Sequence, residues 1–341
     1  MVNAPLAGRG RCDASAVEAS SATAPPAANA LESRRSLLDR LGDVSLKLVT
    51  AAAAVGSVGL IALIVYEVVD RARPSMSEFG LAFLWHQSWD VVNNNFGALD
   101  FIVGTLYTTA FAVLFAAPIS IGIGLYLSEL APRAVRGIVG PLVEMLAAIP
   151  SVVLGLWGIL VLGPVVHNQL GPWLNSAFGW LPFFATRPIS GSTMFTAVLV
   201  LTIMITPITA SISRDLFLQV PQDIKEGAIG LGLTRWEMVR GVMLPYTRGG
   251  LIAAVLLGGG RAVGEAIAVT QVIGTTAHLT ADLFQTGDTL ASRIAAQYQG
   301  AASHLQVASL FYLGVILLVM SLITNFAAQI IVRRYAIQRR G

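Results

Sequence analysis

Among its 341 residues this chain has one cysteine, two lysines and four histidines. Cys12 has no second thiol to join, which excludes an intrachain disulfide, a cysteine zinc cluster and a dithiol redox pair. Lys47 and Lys225 both lie outside any G-x-x-x-x-G-K-[ST] run, so the chain lacks the P-loop route to ATP hydrolysis. His86, His167, His278 and His304 have no H-x-x-x-H spacing, and no metal site is expected from them. No Ser-His-Asp order, paired catalytic carboxylates or zinc-protease signature is present either, so enzyme chemistry within the chain has no support. Charge is scarce too: only 12% of residues are charged, against roughly 25% in soluble domains.

What fills the chain is apolar. Hydrophobic residues make up 55% of it and the mean hydropathy is +0.71. Length alone would allow two soluble domains, but apolar runs long enough to cross about 30 Å of hydrocarbon point to one membrane domain. The expected fold is therefore all-α and polytopic, because a helix satisfies its own backbone in lipid. A pI near 9.2 raises the question of nucleic acid. The basic residues flank apolar runs and form no patch interleaved with aromatics, so no nucleic-acid partner is expected.

Residues 1–44 are rich in Ala, Ser, Pro and Gly and read as a disordered cytoplasmic tail. The first apolar stretch starts near Leu46, too late for a cleaved signal peptide, so the first span is expected to be retained. Six spans are expected near 46–66, 101–127, 138–163, 193–213, 249–273 and 306–332, within one membrane domain over 45–335 and before a short tail, 336–341. With the amino terminus inside and the distant Arg9 and Arg11 left aside, the inner segments hold fifteen Lys and Arg and the outer segments four: Arg71, Arg73, Arg187 and Arg293. Basic residues are retained on the cytoplasmic side, so both termini are expected there. Trp85, Trp89, Trp173 and Trp180 fall in outer loops, where aromatic rings anchor at headgroup level. Ser75 with Glu78 forms a capping-box pattern that predicts a short interfacial helix across Phe79–Trp85.

The loop between spans four and five, residues 214–248, is more than a connector. Pro221 suits a first helical position, Asp223 an acidic first turn, and Gly232 a left-handed stop. Thr234 and Glu237 then form an S/T-x-x-E box opening a second helix, which Pro245 is expected to end. Glu226, Gly227, Ala228, Gly232, Val242, Leu244 and Pro245 stand at the spacing E-A-A, three residues, G, nine residues, I-x-L-P. This resembles the EAA loop of bacterial ABC-importer permeases, with Gly227 for the second Ala and Val242 for Ile. The resemblance implies a type I permease fold and a coupling helix, Glu226 to Gly232, that docks on a separate ATPase.

Span five carries Gly258-Gly259-Gly260-Arg261-Ala262-Val263-Gly264-Glu265-Ala266. Two ionisable residues about mid-helix are costly in hydrocarbon, at least about 2.5 kcal/mol for Arg, and normally face a partner or a water-filled path. Four residues apart, Arg261 and Glu265 are expected on one helix face and able to pair. The G-R-A-V-G-E-A run, with Ala148-Ile149-Pro150-Ser151-Val152-Val153 in span three, resembles the phosphate-specific transport permeases, nearest the PstC type. The similarity runs over roughly 45–335. It implies a bacterial inner-membrane importer working with a PstA-type permease, a PstB-type ATPase pair that uses ATP and Mg, and an extracytoplasmic PstS-type phosphate-binding protein. It also implies roles in phosphate passage for Arg261 and Glu265. A guanidinium donates planar N–H groups to phosphate oxygens, and a carboxylate can accept from the P–OH that sulfate lacks at neutral pH.

Three other readings stay open on the residues alone: a permease for molybdate or sulfate, a proton-coupled secondary anion transporter, and a sensor of binding-protein occupancy. The choice between heterodimer and homodimer is open as well. Pro118, Pro150 and Pro207 are expected to kink spans, and Glu129 and Glu144 to sit at the inner interface.

Overall fold

The computed structural model describes residues 37–277 and 280–337, with side-chain surroundings over 42–277 and 280–331. Residues 1–36 of the expected tail, with Cys12, and also His278 and 338–341, lie outside the described residues. The chain divides into two units at Leu63/Ile64. In the first, helix has begun by Leu37, earlier than the expected 45, and every residue from 42 to 63 is exposed. The second unit holds the rest.

The helix α1 (Leu37–Phe79) continues past its expected end and leads into a 3-10 turn, Gly80–Leu84. The capping box expected at Ser75 does not form: the Ser75 hydroxyl is buried against the Ser309 hydroxyl, 3.0 Å away, inside a continuous helix. A two-residue hairpin, β1 (Trp89–Asp90) with β2 (Asn95–Phe96), precedes α2 (Leu99–Leu125) and is the one departure from all-α among the described residues. Asp90 caps its turn by accepting from the Asn93 side-chain amide and from the Asn93 and Val92 backbone, and these bonds, the side-chain one foremost, hold its carboxyl below the usual range.

The buried face of α2 carries Gly104, Thr108, Ala112, Ala116, Ser120 and Gly124, one small residue every fourth position. Small residues let helices approach where lipid supplies no hydrophobic drive to associate. The partner is α7 (Met194–Leu218), the most buried span. A Cβ on Gly124 would fall 2.8 Å from the Arg214 backbone nitrogen, which shows how closely the two backbones run.

The third span differs from expectation. Residues 133–147 form a separate helix, α3 (Arg133–Ala147), which ends at Ala148–Pro150. The membrane-length rod starts only at Ser151 and runs to Phe178 through α4 (Ser151–Trp157), α5 (Gly163–Val165) and α6 (Gly171–Phe178), joined by π turns at Gly158–Leu162 and Val166–Leu170. Pro150 forces the break because its ring occupies the place of an amide donor and disfavours helix in the residue before it. Four π turns occur among the described residues, and each ends two positions before a proline: Leu130 before Pro132, Leu162 before Pro164, Leu170 before Pro172, and Met243 before Pro245. At Pro164, Pro172 and Pro245 the wider turn relieves the clash between the proline ring and the carbonyl four residues back, so the rods continue, whereas at Pro132 the chain leaves the helix through an extended Ala131. Pro118 and Pro207 stay inside ordinary α-helix.

After α7 come α8 (Gln222–Gly230), α9 (Arg235–Met238), α10 (Leu244–Val263), α11 (Ile267–Val272), α12 (Leu290–Gln297) and α13 (His304–Ile337). Among the described residues, six helices are long and apolar enough to cross a membrane.

Candidate functional site: a projecting loop and a charged helix break

The loop after α7 folds as two short helices around one tight turn. Pro221 flanks α8 on its amino side, and Gly232 takes φ +88°, the left-handed region where a Cβ is strained. The Gly232 amide donates to Ile229 O at 2.9 Å and the Leu233 amide to Ala228 O at 3.2 Å, which satisfies the end of α8. The Thr234–Glu237 capping box is present: the Glu237 amide donates to Thr234 Oγ1 and the Thr234 amide to Glu237 Oε2. Pro245 does not end this helix. The π turn Val239–Met243 carries α9 into α10 as one rod, Arg235–Val263.

Burial divides α8 by side. Lys225 and Ala228 face inward, Ala228 into an apolar cluster with Phe217, Val220, Met238 and Met243. Glu226, Gly227, Ile229, Leu231 and Trp236 are exposed, the last two strongly. Gln222 Nε2 donates to Glu226 Oε1 at 3.1 Å, and a Cβ at Gly227 would meet nothing. Leu244 is half-buried beside the same cluster, and Pro245 is exposed. The loop thus presents an apolar and acidic outer surface on a small, well-anchored base.

The second locus lies where α10 ends. Its glycines serve close packing: a Cβ on Gly258 would fall 2.5 Å from Ile205 Cγ2, on Gly259 3.1 Å from Val113 Cγ2, and on Gly260 3.3 Å from Asn325 Oδ1. The helix stops at Val263, so Arg261 sits in its last turn and Glu265 in the break before α11. The two residues therefore do not share one helix face, and no ion pair joins them among the described residues. The helix dipoles account for each charge separately. Arg261 lies at the negative end of α10, and Glu265 Oε1 accepts from the Ala268 amide at 3.4 Å, at the positive end of α11. Arg261 remains exposed on the surface of the isolated chain, and Glu265 half-exposed. A guanidinium cannot be left facing hydrocarbon, so this surface requires protein or water against it.

Residues 120–337 match the family of binding-protein-dependent transport system inner membrane components. The phosphate transport system permease protein PstC of Pasteurella multocida is 42% identical over 81% of this chain and 87% of its own length. The PstC of Mesorhizobium japonicum is 39% identical over 86% of this chain and 91% of its own. The chain belongs to the PstC family of permeases. A permease chain of a bacterial alginate ABC transporter shares the fold at a TM-score of 0.58, with 14% identity over 86% of this chain and 96% of that one. The permease is thus a multi-pass membrane protein of the ABC-importer class, a transport subunit in a family not named for catalysis.

Two charge clusters of this permease escaped the reading of the sequence. Arg293, taken for an outer-loop charge, is buried: its Nε lies 2.8 Å from Asp288 Oδ2, and its guanidinium sits 4.7 Å from the Phe101 ring centre. Burial pushes the Asp288 carboxyl up and the Arg293 guanidinium down, each against the pull of the other's charge. Lys225 is also buried, with Nζ 2.5 Å from Glu129 Oε1 and 3.3 Å from Phe217 O. Glu144, expected at the inner interface, pairs with Arg214 at 2.9 Å. The one available signal was the cost of hiding a lone lysine on a short helix; its partner, 96 residues away, is invisible to local patterns.

Proposed function

We propose that this permease forms half of the channel of an ATP-driven phosphate importer in a bacterial inner membrane, with both termini cytoplasmic. A second permease of the PstA type supplies the other half. A PstB-type ATPase pair holds ATP and Mg, and a PstS-type binding protein delivers phosphate from outside. The observation that carries this reading is the projecting loop, whose exposed Glu226, Gly227, Ile229 and Leu231 stand on a base built by the Gly232 turn and the Thr234 box. A surface of this kind suits a cleft on a separate ATPase. Differential binding of ATP to two states of the complex supplies the energy, since a ligand shifts a conformational equilibrium only by its preference between states.

Arg261 and Glu265 are assigned to the phosphate path. The exposed guanidinium at the end of α10 offers several donors to an oxyanion, and the Glu265 carboxylate can accept from a P–OH while disfavouring anions without one. Uptake of radiolabelled phosphate into proteoliposomes holding the whole complex, with sulfate and molybdate as competitors, tests the assignment. Arg261→Gln is expected to abolish most uptake without loss of assembly, and Glu265→Gln to weaken discrimination against sulfate. Unchanged uptake and selectivity in both variants would remove these side chains from the path.

A further inference from the structure

We propose that the Lys225–Glu129 pair is the strut that passes movement of the projecting loop to the membrane bundle, which makes both of them positioning residues for transport. The inference rests on the importer reading above and adds a connection that the family's loop spacing does not contain. Lys225 belongs to α8, one residue before Glu226, and Glu129 belongs to the π turn Tyr126–Leu130 that ends α2. Their side chains are 8% and 18% exposed and meet at 2.5 Å.

Apolar packing already anchors α8 through Ala228, so the pair is not needed to hold the loop down. A buried ion pair gains little over an apolar pair of the same size, and its distinguishing property is fixed geometry. Ile121 and Leu125 of α2 pack against the Ala228 cluster, but on the side of the pair the packing is open. A cavity of about 450 Å³ lies between α8, α9 and the end of α2, with Glu129 and Lys225 both in its wall. Dispersion contacts cannot carry a displacement across empty space, whereas two opposite charges in contact resist both approach and separation. The receiving end can yield. In the π turn at Glu129 the Ala131 amide donates to Tyr126 O at 2.8 Å, and Arg136 Nη2 donates to the Ser128 carbonyl at 2.5 Å. A π turn departs from the regular α-helical ladder, and such turns occur frequently at functional sites. Motion of α8 would therefore reach α2, and through its small-residue face α7, by way of this pair.

The test uses the whole complex in proteoliposomes and reads phosphate imported per ATP hydrolysed. Lys225→Met and Glu129→Gln are each expected to lower that ratio at least fivefold while the ATPase still co-purifies. Lys225→Arg, and the exchanged pair Lys225→Glu with Glu129→Lys, are expected to return it to within twofold of the unaltered complex. Single variants that keep the ratio within twofold overturn the proposal, as does an exchanged pair no better than the singles. Loss of the ATPase on purification of the singles also overturns it, because the pair would then merely hold the loop in place. An unaltered complex that hydrolyses ATP without importing phosphate defeats the importer reading itself, and the strut falls with it.

Discussion

Two glycines five residues apart in the projecting loop should respond to alanine with opposite signs. Gly227 lies inside α8, exposed, and a Cβ there meets no atom within 4 Å. Alanine at such a site recovers the helix propensity that glycine lacks, about 0.8 to 1.0 kcal/mol. Gly232 also has open space around it, but its φ is +88°, so alanine there suffers backbone strain of about 1 to 2 kcal/mol. Space is equal at both positions and only the backbone differs. With about 1.4 kcal/mol per tenfold, Gly227→Ala should slow local opening of α8 about fourfold to fivefold, and Gly232→Ala should speed opening of the turn about fivefold to thirtyfold. Backbone hydrogen exchange reads both, since protection in a short exposed element follows its local opening. The Leu231 amide, bonded to Gly227 O at 3.1 Å, reports on α8, and the Leu233 amide, bonded to Ala228 O, reports on the turn. Shifts of the same sign in the two variants, or an unchanged Leu233 rate in Gly232→Ala, would refute the assignment of the left-handed turn to Gly232.

Gly104→Ala should lower the thermal midpoint of the purified permease, because its Cβ would fall 2.0 Å from the Asp288 carbonyl oxygen and the backbone there must shift; an unchanged midpoint would mean that the contact is loose. Arg293→Met leaves Asp288 buried without its partner and should cost about 3 to 5 kcal/mol. The double variant Arg293→Met with Asp288→Leu should regain part of that in the same melting assay.

How much was legible in advance follows from the range of the interactions. The Thr234 box, the Gly232 stop and the start of α8 depend on neighbours within five residues, and the chain displays them openly. Pro245 was misread as a stop, because proline chemistry was applied without the π turn that accommodates it. The third span was placed too early because α3 is apolar enough to resemble a span, and only the break at Pro150 separates them. Arg261 and Glu265 were singled out by their cost in hydrocarbon, which is a property of residue type. Their separation by a helix break was missed because Gly258, Gly259 and Gly260 stand inside the helix just before it, so Gly264 did not stand out as a stop.

By itself, the sequence determined that this is a polytopic membrane protein, that its basic residues lie asymmetrically about its spans, and that a capped helical elbow follows the fourth of them. Each of these follows from transfer free energies and local backbone chemistry, which act residue by residue. The tertiary structure decided which charges are buried and with whom: Lys225 with Glu129, Arg293 with Asp288, and Arg261 left at an open helix end. Those choices depend on which helices lie side by side, and in lipid, helix proximity is set by the fit of small residues across whole interfaces. No short stretch of the chain contains that information.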